Sequence, residues 1–99
     1  MQLQITPTDE GFLLEGELDM ATADALSQLL KEESMDGDPV VLDFSGVSFM
    51  DSSGLRAVLE RAGQQNRQGP VVITNPSRQV RRVLDISIPG GAPGLEVRG

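Results

Sequence analysis

The chain opens on an alternation of polar and apolar positions. In "QLQIT", Leu3 and Ile5 fall on one side, the period of a half-buried β-strand. "PTDEG" follows as a turn and "FLLEGEL" as a second strand, so the two predict a hairpin. The period then changes. In "DMATADALSQLLKEES", Leu26, Leu29 and Leu30 recur at helical spacing and Ala25 widens the stripe, with Asp19 or Thr22 placed to cap the start. "DGDP" ends that unit. "VVLDF" is a continuous apolar run, the pattern of a strand covered on both faces in a parallel or mixed sheet.

Helical period returns in "SSGLRAVLERAGQQNRQG", where Leu55, Val58, Leu59 and Ala62 are spaced i, i+3, i+4, i+7 and Gly69-Pro70 stops the unit. "VVIT" is another buried strand. "NPSRQVRRVLD" carries a cap, Pro76 at the first helical position, and the apolar stripe Val80, Val83, Leu84. The tail "SIPGGAPGLEVRG" reads as a Gly/Pro-rich loop with room for a short last strand at "LEV". The order is β-β-α-β-α-β-α plus a short tail. It predicts one α/β domain over residues 1–99, with parallel strands joined by crossover helices. Such sheets work where strands end and helix N-termini begin. The stretch "SFMDSSGL", residues 48–55, lies at one of these junctions.

Composition narrows the chemistry. A chain of 99 residues with 38% hydrophobic content can bury one modest core. That core is aliphatic, because there are three Phe and no Trp or Tyr, which also leaves almost no platform for stacking on bases. A net charge of −7 weighs against general affinity for DNA, RNA or an anionic membrane. The charge is uneven: twelve acids face one base (Lys31) up to Asp51, and seven arginines face three acids beyond it. That split suits either differently solvated faces or a partner surface. The arginines Arg78, Arg81 and Arg82 share one helix at i, i+3, i+4 and pose the same choice. With no Cys and no His, disulfides, thiolate catalysis, Ser-His-Asp chemistry and the usual zinc sites drop out. No apolar run approaches a membrane span, and "MQLQITPTDE" lacks the basic and apolar regions of a signal peptide. A cytoplasmic protein without a cofactor is expected.

The serine pair at Ser52 and Ser53 admits four uses. Asp51, Ser52 or Ser53 could cap the following helix. A nucleophile elbow needs Gly on both sides of the serine and a base. Met50 and Asp51 hold the preceding positions, and Lys31, the only lysine, lies on another predicted helix. A Walker loop needs Gly-Lys-Ser/Thr, whereas Leu55 follows Gly54. A phosphate acceptor suits a serine at a helix N-terminus, where backbone N–H groups and the dipole tolerate a dianion. Capping and phosphate acceptance both stay open on local chemistry.

"GELDMATADAL", "VVLDFSGVSFMDSSGLRAVL" and "NPSRQVRRVLDIS" run in the order found in the STAS-domain family of bacterial anti-sigma factor antagonists, which the chain resembles over about residues 2–88. The specific part is "DFSGVSFMDSSGL". The resemblance implies a regulatory binding module rather than an enzyme. In the family, the unphosphorylated antagonist binds an anti-sigma factor that is also a serine kinase, and so frees the sigma factor. The kinase then phosphorylates the serine after the motif aspartate, and a phosphatase resets it. Carried over, Ser52 is the phosphoacceptor. Asp51 orients the loop and contacts the kinase. Ser53 and Gly54 start the helix and let the partner approach the backbone. Asp19 forms a second contact loop, and Leu55, with Met50, is either an apolar contact at the rim or core. STAS scaffolds in lipid-transport or stress-signalling assemblies, without phosphoregulation, are the alternative. The chain departs from the family in Arg56, where many members have Gly. It has "DISIPGG" in place of a D-x-[ST]-G turn, and only "GLEVRG" where many members add a helix.

Overall fold

The computed structural model describes residues 3–32, 39–63 and 70–99. Eight elements follow in the order β1 (Gln4–Pro7), β2 (Phe12–Leu18), α1 (Ala23–Glu32), β3 (Val40–Met50), α2 (Ser52–Ala62), β4 (Val71–Thr74), α3 (Arg78–Ser87) and β5 (Leu95–Arg98). The five strands lie in one sheet in chain order. The β1–β2 hairpin is antiparallel and every other neighbour is parallel. The expected stretches at 33–38, including most of "DGDP", and at 64–69, with Gly69, lie outside the described residues. Within them, α2 closes at Gly63, whose N–H donates to the Leu59 carbonyl at 2.9 Å.

Three crossovers step across the sheet in one direction. Right-handed crossovers then put all three helices on one face. The core is accordingly one-sided. Leu14 and Leu18 of β2, Leu42 and Phe44 of β3, and Val71 and Ile73 of β4 meet residues of all three helices, among them Leu26, Leu30, Val58 and Val80. This corrects the expectation that "VVLDF" is covered on both faces. Val40, Leu42 and Phe44 are buried, whereas Val41 and Asp43 are half-buried and Ser45 is exposed. The continuous apolar run reflected two valines in sequence, not two covering layers. On the helix-free face Asp43 accepts from the Ser45 N–H at 2.9 Å and the Asn75 amide at 3.4 Å. Burial alone would raise this carboxyl, but the hydrogen bonds from Ser45 and Asn75 outweigh it and hold the pKa below its ordinary value.

The strand β3 is also longer than its apolar run suggested. Its buried positions are Val40, Leu42, Phe44, then Val47, then Met50. Alternation is broken twice, where the β2–β3 register shifts. Leu13 pairs with Asp43, Glu15 with Gly46, and Glu17 with Phe49, so β3 gains one residue on β2 at each shift. Gly16 of β2 sits between them at φ 117°, a conformation that favours glycine.

Two ends differ from expectation. The first turn of α3 is capped by Ser77, whose hydroxyl accepts from the Val80 N–H at 3.2 Å, so Pro76 precedes the cap instead of opening the helix. Asn75, at φ 52°, turns the chain out of β4 while its N–H donates to the Arg98 carbonyl at 2.9 Å. In the tail, the turn after α3 is closed by the Gly91 N–H donating to the Ile88 carbonyl at 2.8 Å. The short last strand forms as β5, in parallel with β4, and Leu95 packs against the core.

Candidate functional site

The two register shifts decide what stands at the ends of β2 and β3. Leu18 pairs with Met50, and the Asp51 N–H donates to the Leu18 carbonyl at 3.0 Å. Asp19 and Asp51 therefore leave the sheet side by side. Unshifted pairing would have set Asp19 beside Phe49.

Each aspartate organises its own turn. The Asp19 carboxylate accepts from the N–H groups of Ala21 at 2.9 Å and Thr22 at 3.2 Å. Thr22 is buried; its hydroxyl donates to the Glu17 carbonyl at 2.7 Å and accepts from the Asp19 N–H at 3.0 Å. Both residues foreseen as caps thus build the turn into α1. Asp51 is the N-cap of α2, its Oδ1 accepting from the N–H of Ser53 at 2.8 Å and of Gly54 at 3.3 Å. Asp51→Ala is expected to cost about 1 kcal/mol of unfolding free energy, read by chemical denaturation, because two orphan donors lose their acceptor.

Ser52 is the first residue of α2 and is exposed, while Ser53 is half-buried. Gly54 and Leu55 both lie inside the packing of α2 on the sheet. Leu55 is 4% exposed and Met50 fully buried, so both belong to the core and neither forms an apolar rim. A Cβ at position 54 would lie 2.9 Å from Leu18 Cβ and 3.0 Å from the Leu18 carbonyl oxygen. The close approach that Gly54 permits is therefore between α2 and β2, inside the molecule.

Gln79 carries a role that sequence reading missed. Because β4 ends at Thr74, the far half of β3 lacks a strand on that side. Gln79 of α3 fills the gap: its Oε1 accepts from the Met50 N–H at 2.8 Å and its Nε2 donates to the Met50 carbonyl at 3.2 Å. It thus clamps the residue before Asp51. A surface-type amide one position before Val80 gave no periodic signal for this. Arg61 is a second surprise. It is 3% exposed within α2, and burial pulls its guanidinium below the usual pKa. The arginines Arg78, Arg81 and Arg82 are exposed, and Arg81 donates to the Gly99 carbonyl.

Above the two turns, an open groove of about 310 Å³ runs between α1 and α2, lined by Met20, Asp24, Ser52, Ser53, Arg56 and Glu60 among others. Met20, at 80% exposure, stands at its edge as an unsheltered apolar side chain. A larger open depression, about 550 Å³, is lined by Asp9, Asp43, Thr74 and Arg98 among others and includes none of Asp19, Asp51, Ser52, Ser53 or Gly54. Among the described residues no helix is long and apolar enough to cross a membrane.

Comparison with known proteins fits this geometry. The family model described as "Mlab, STAS domain" matches residues 1–87. An anti-sigma F factor antagonist of Paenibacillus polymyxa is 34% identical over 77 residues, which cover 75% of this chain. The match spans 66% of that relative's length. Among solved structures, an anti-sigma factor antagonist from Mycobacterium paratuberculosis superposes with a TM-score of 0.72 at 23% identity, over 95% of this chain and 83% of the other. The antagonist SpoIIAA in its unphosphorylated form gives 0.55 at 23% identity, over 94% and 86%. These likenesses share the fold. With a family model spanning most of its length and the "DSSG" junction at the end of β3, the chain belongs to the STAS domain family.

Proposed function

We propose that this protein is an anti-sigma factor antagonist. Its unphosphorylated form binds an anti-sigma factor serine kinase through the Asp19 and Asp51 turns and the α1–α2 groove. Phosphorylation of Ser52 ends that binding and a phosphatase restores it. The observation that carries the reading is the placement of Ser52. It is an exposed hydroxyl at the start of α2, on the rim of a groove with an exposed methionine, and the cap beside it is held by Asp51 instead. In the transfer, the Ser52 hydroxyl oxygen would bond to the γ-phosphorus of ATP, the bond to the β-phosphate oxygen would break, and ADP and the hydroxyl proton would leave. A kinase partner supplies the catalytic machinery, so the antagonist itself acts as a binding module. Curated and structural relatives named as anti-sigma factor antagonists support the same role. Such a switch would operate in the cytoplasm, beside the sigma factor it frees.

Incubation with the cognate kinase and ATP is expected to add one phosphate, mapped by mass spectrometry to Ser52. Phosphate on Ser53 alone, or none with any candidate kinase, would defeat the proposal. The competing reading is a scaffold subunit in a lipid-transport or stress-signalling assembly. It requires a partner whose binding ignores the state of Ser52, so equal binding of wild type, Ser52→Ala and Ser52→Asp would favour it.

A further inference from the structure

Resting on that reading of Ser52, we propose that Arg56 is the internal counter-ion of the phosphate. Phosphorylation then removes a positive charge from the docking face as well as adding a negative one.

The usual hosts for a phosphate at a helix start are its backbone N–H groups. Here those of Ser53 and Gly54 are already taken by the Asp51 carboxylate. Of the first-turn N–H groups only that of Ser52 itself is left, so a dianion there calls for a further donor. Ser52, Arg56 and Glu60 follow one another at i, i+4, i+8 along one face of α2 and line the same groove. Residues four apart on a helix have their Cβ atoms about 5–6 Å apart, within easy reach of an arginine fork. Arg56 is the only cation lining that groove among the described residues, is exposed, and makes no ion pair with them. Its surroundings are otherwise acidic: Glu60 on α2, Asp24 across the groove on α1, Asp51 at the cap and Asp19 in the adjoining turn. Without Arg56 a dianion would enter a site lined by negative charge only.

The unphosphorylated face therefore offers an exposed cation, flanked by acids and an exposed methionine, with which an acidic group on the partner can pair. Once phosphate is present, the arginine folds back on it. The partner loses a cation to pair with and meets a dianion in its place.

The test places phosphoserine at position 52 by genetic encoding, so no kinase is needed, and follows the second ionisation by ³¹P NMR. In wild type it is expected to fall at a lower pH than in Arg56→Gln, by about 0.3 unit or more, since an adjacent cation favours the dianion. Arg56→Lys should restore most of the difference, and molar salt should shrink it. Equal midpoints in wild type and Arg56→Gln would overturn the proposal. Arg56 is exposed, so the unphosphorylated variants should melt with wild type. A kinase experiment that fails on Ser52 would sink the functional reading without touching this titration.

Discussion

Ser52→Asp is expected to weaken binding to the anti-sigma factor about a hundredfold, because a like charge brought into a complementary interface costs several kcal/mol. The fold should not feel it. Ser52 is exposed, its side chain is not the cap, and an acid in the first turn of a helix is mildly favourable, by about 0.3–1 kcal/mol. The thermal midpoint should thus stay within about 4 °C of wild type, the shift that 1 kcal/mol produces in a domain of this size. Ser52→Ala should keep the affinity and lose the switch. Calorimetric titration with the purified partner reads the first result and a melt reads the second. Undiminished binding by Ser52→Asp would remove the phosphoswitch. A deep fall in melting temperature would instead show that the serine is structural.

The second large effect falls on Gly54. Gly54→Val should destabilise the domain by about 3 kcal/mol, the upper range of overpacking costs. The new Cβ would press on Leu18 Cβ at 2.9 Å, the Leu18 carbonyl oxygen at 3.0 Å and Met50 Cγ at 3.1 Å. Backbone cannot yield as a side-chain tip does. Even Gly54→Ala, which in an open helix would gain about 1 kcal/mol, should lose stability here. Gly90 serves as control, because a Cβ there meets nothing within 4 Å. Urea denaturation gives the comparison. Gly54→Val within 1 kcal/mol of wild type would mean that α2 and β2 can separate at no cost, contrary to the packing seen. The same push would part the Asp19 and Asp51 turns, so partner binding should fall with stability.

Where local chemistry was strong, sequence and structure agree. The leucines of α1 and the Leu55–Ala62 stripe of α2 lie where helical period put them, because a stripe that must leave water has one direction to face. The junction after β3 was legible for the same reason: an Asp before a helix has a physical use as a cap, and Asp51 serves it. Three features were not legible. The second half of β3 hides its strand period, since each register shift moves the buried side by one position. The one-sided sheet was masked by Val41, an apolar residue that is only half-buried and lies outside the main core. Leu55 reads as rim or as core, with its apolar character favouring core, and the approach of α2 to β2 places it there.

The order of elements, the Asp51 cap and the exclusion of histidine and cysteine chemistry were thus written in the chain, because each depends on residues near one another or on residues absent altogether. The tertiary structure alone decided which atoms share the site. Two shifts between parallel strands bring Asp19 beside Asp51, a glutamine from α3 clamps Met50, and the Asp51 carboxylate takes the N–H groups a phosphate would otherwise use. Each is a contact between the motif and another group whose outcome turns on register and packing, which a one-dimensional pattern does not encode. The question raised by two adjacent serines is settled in part by their neighbour: the cap belongs to Asp51, and Ser52 is left free at the surface.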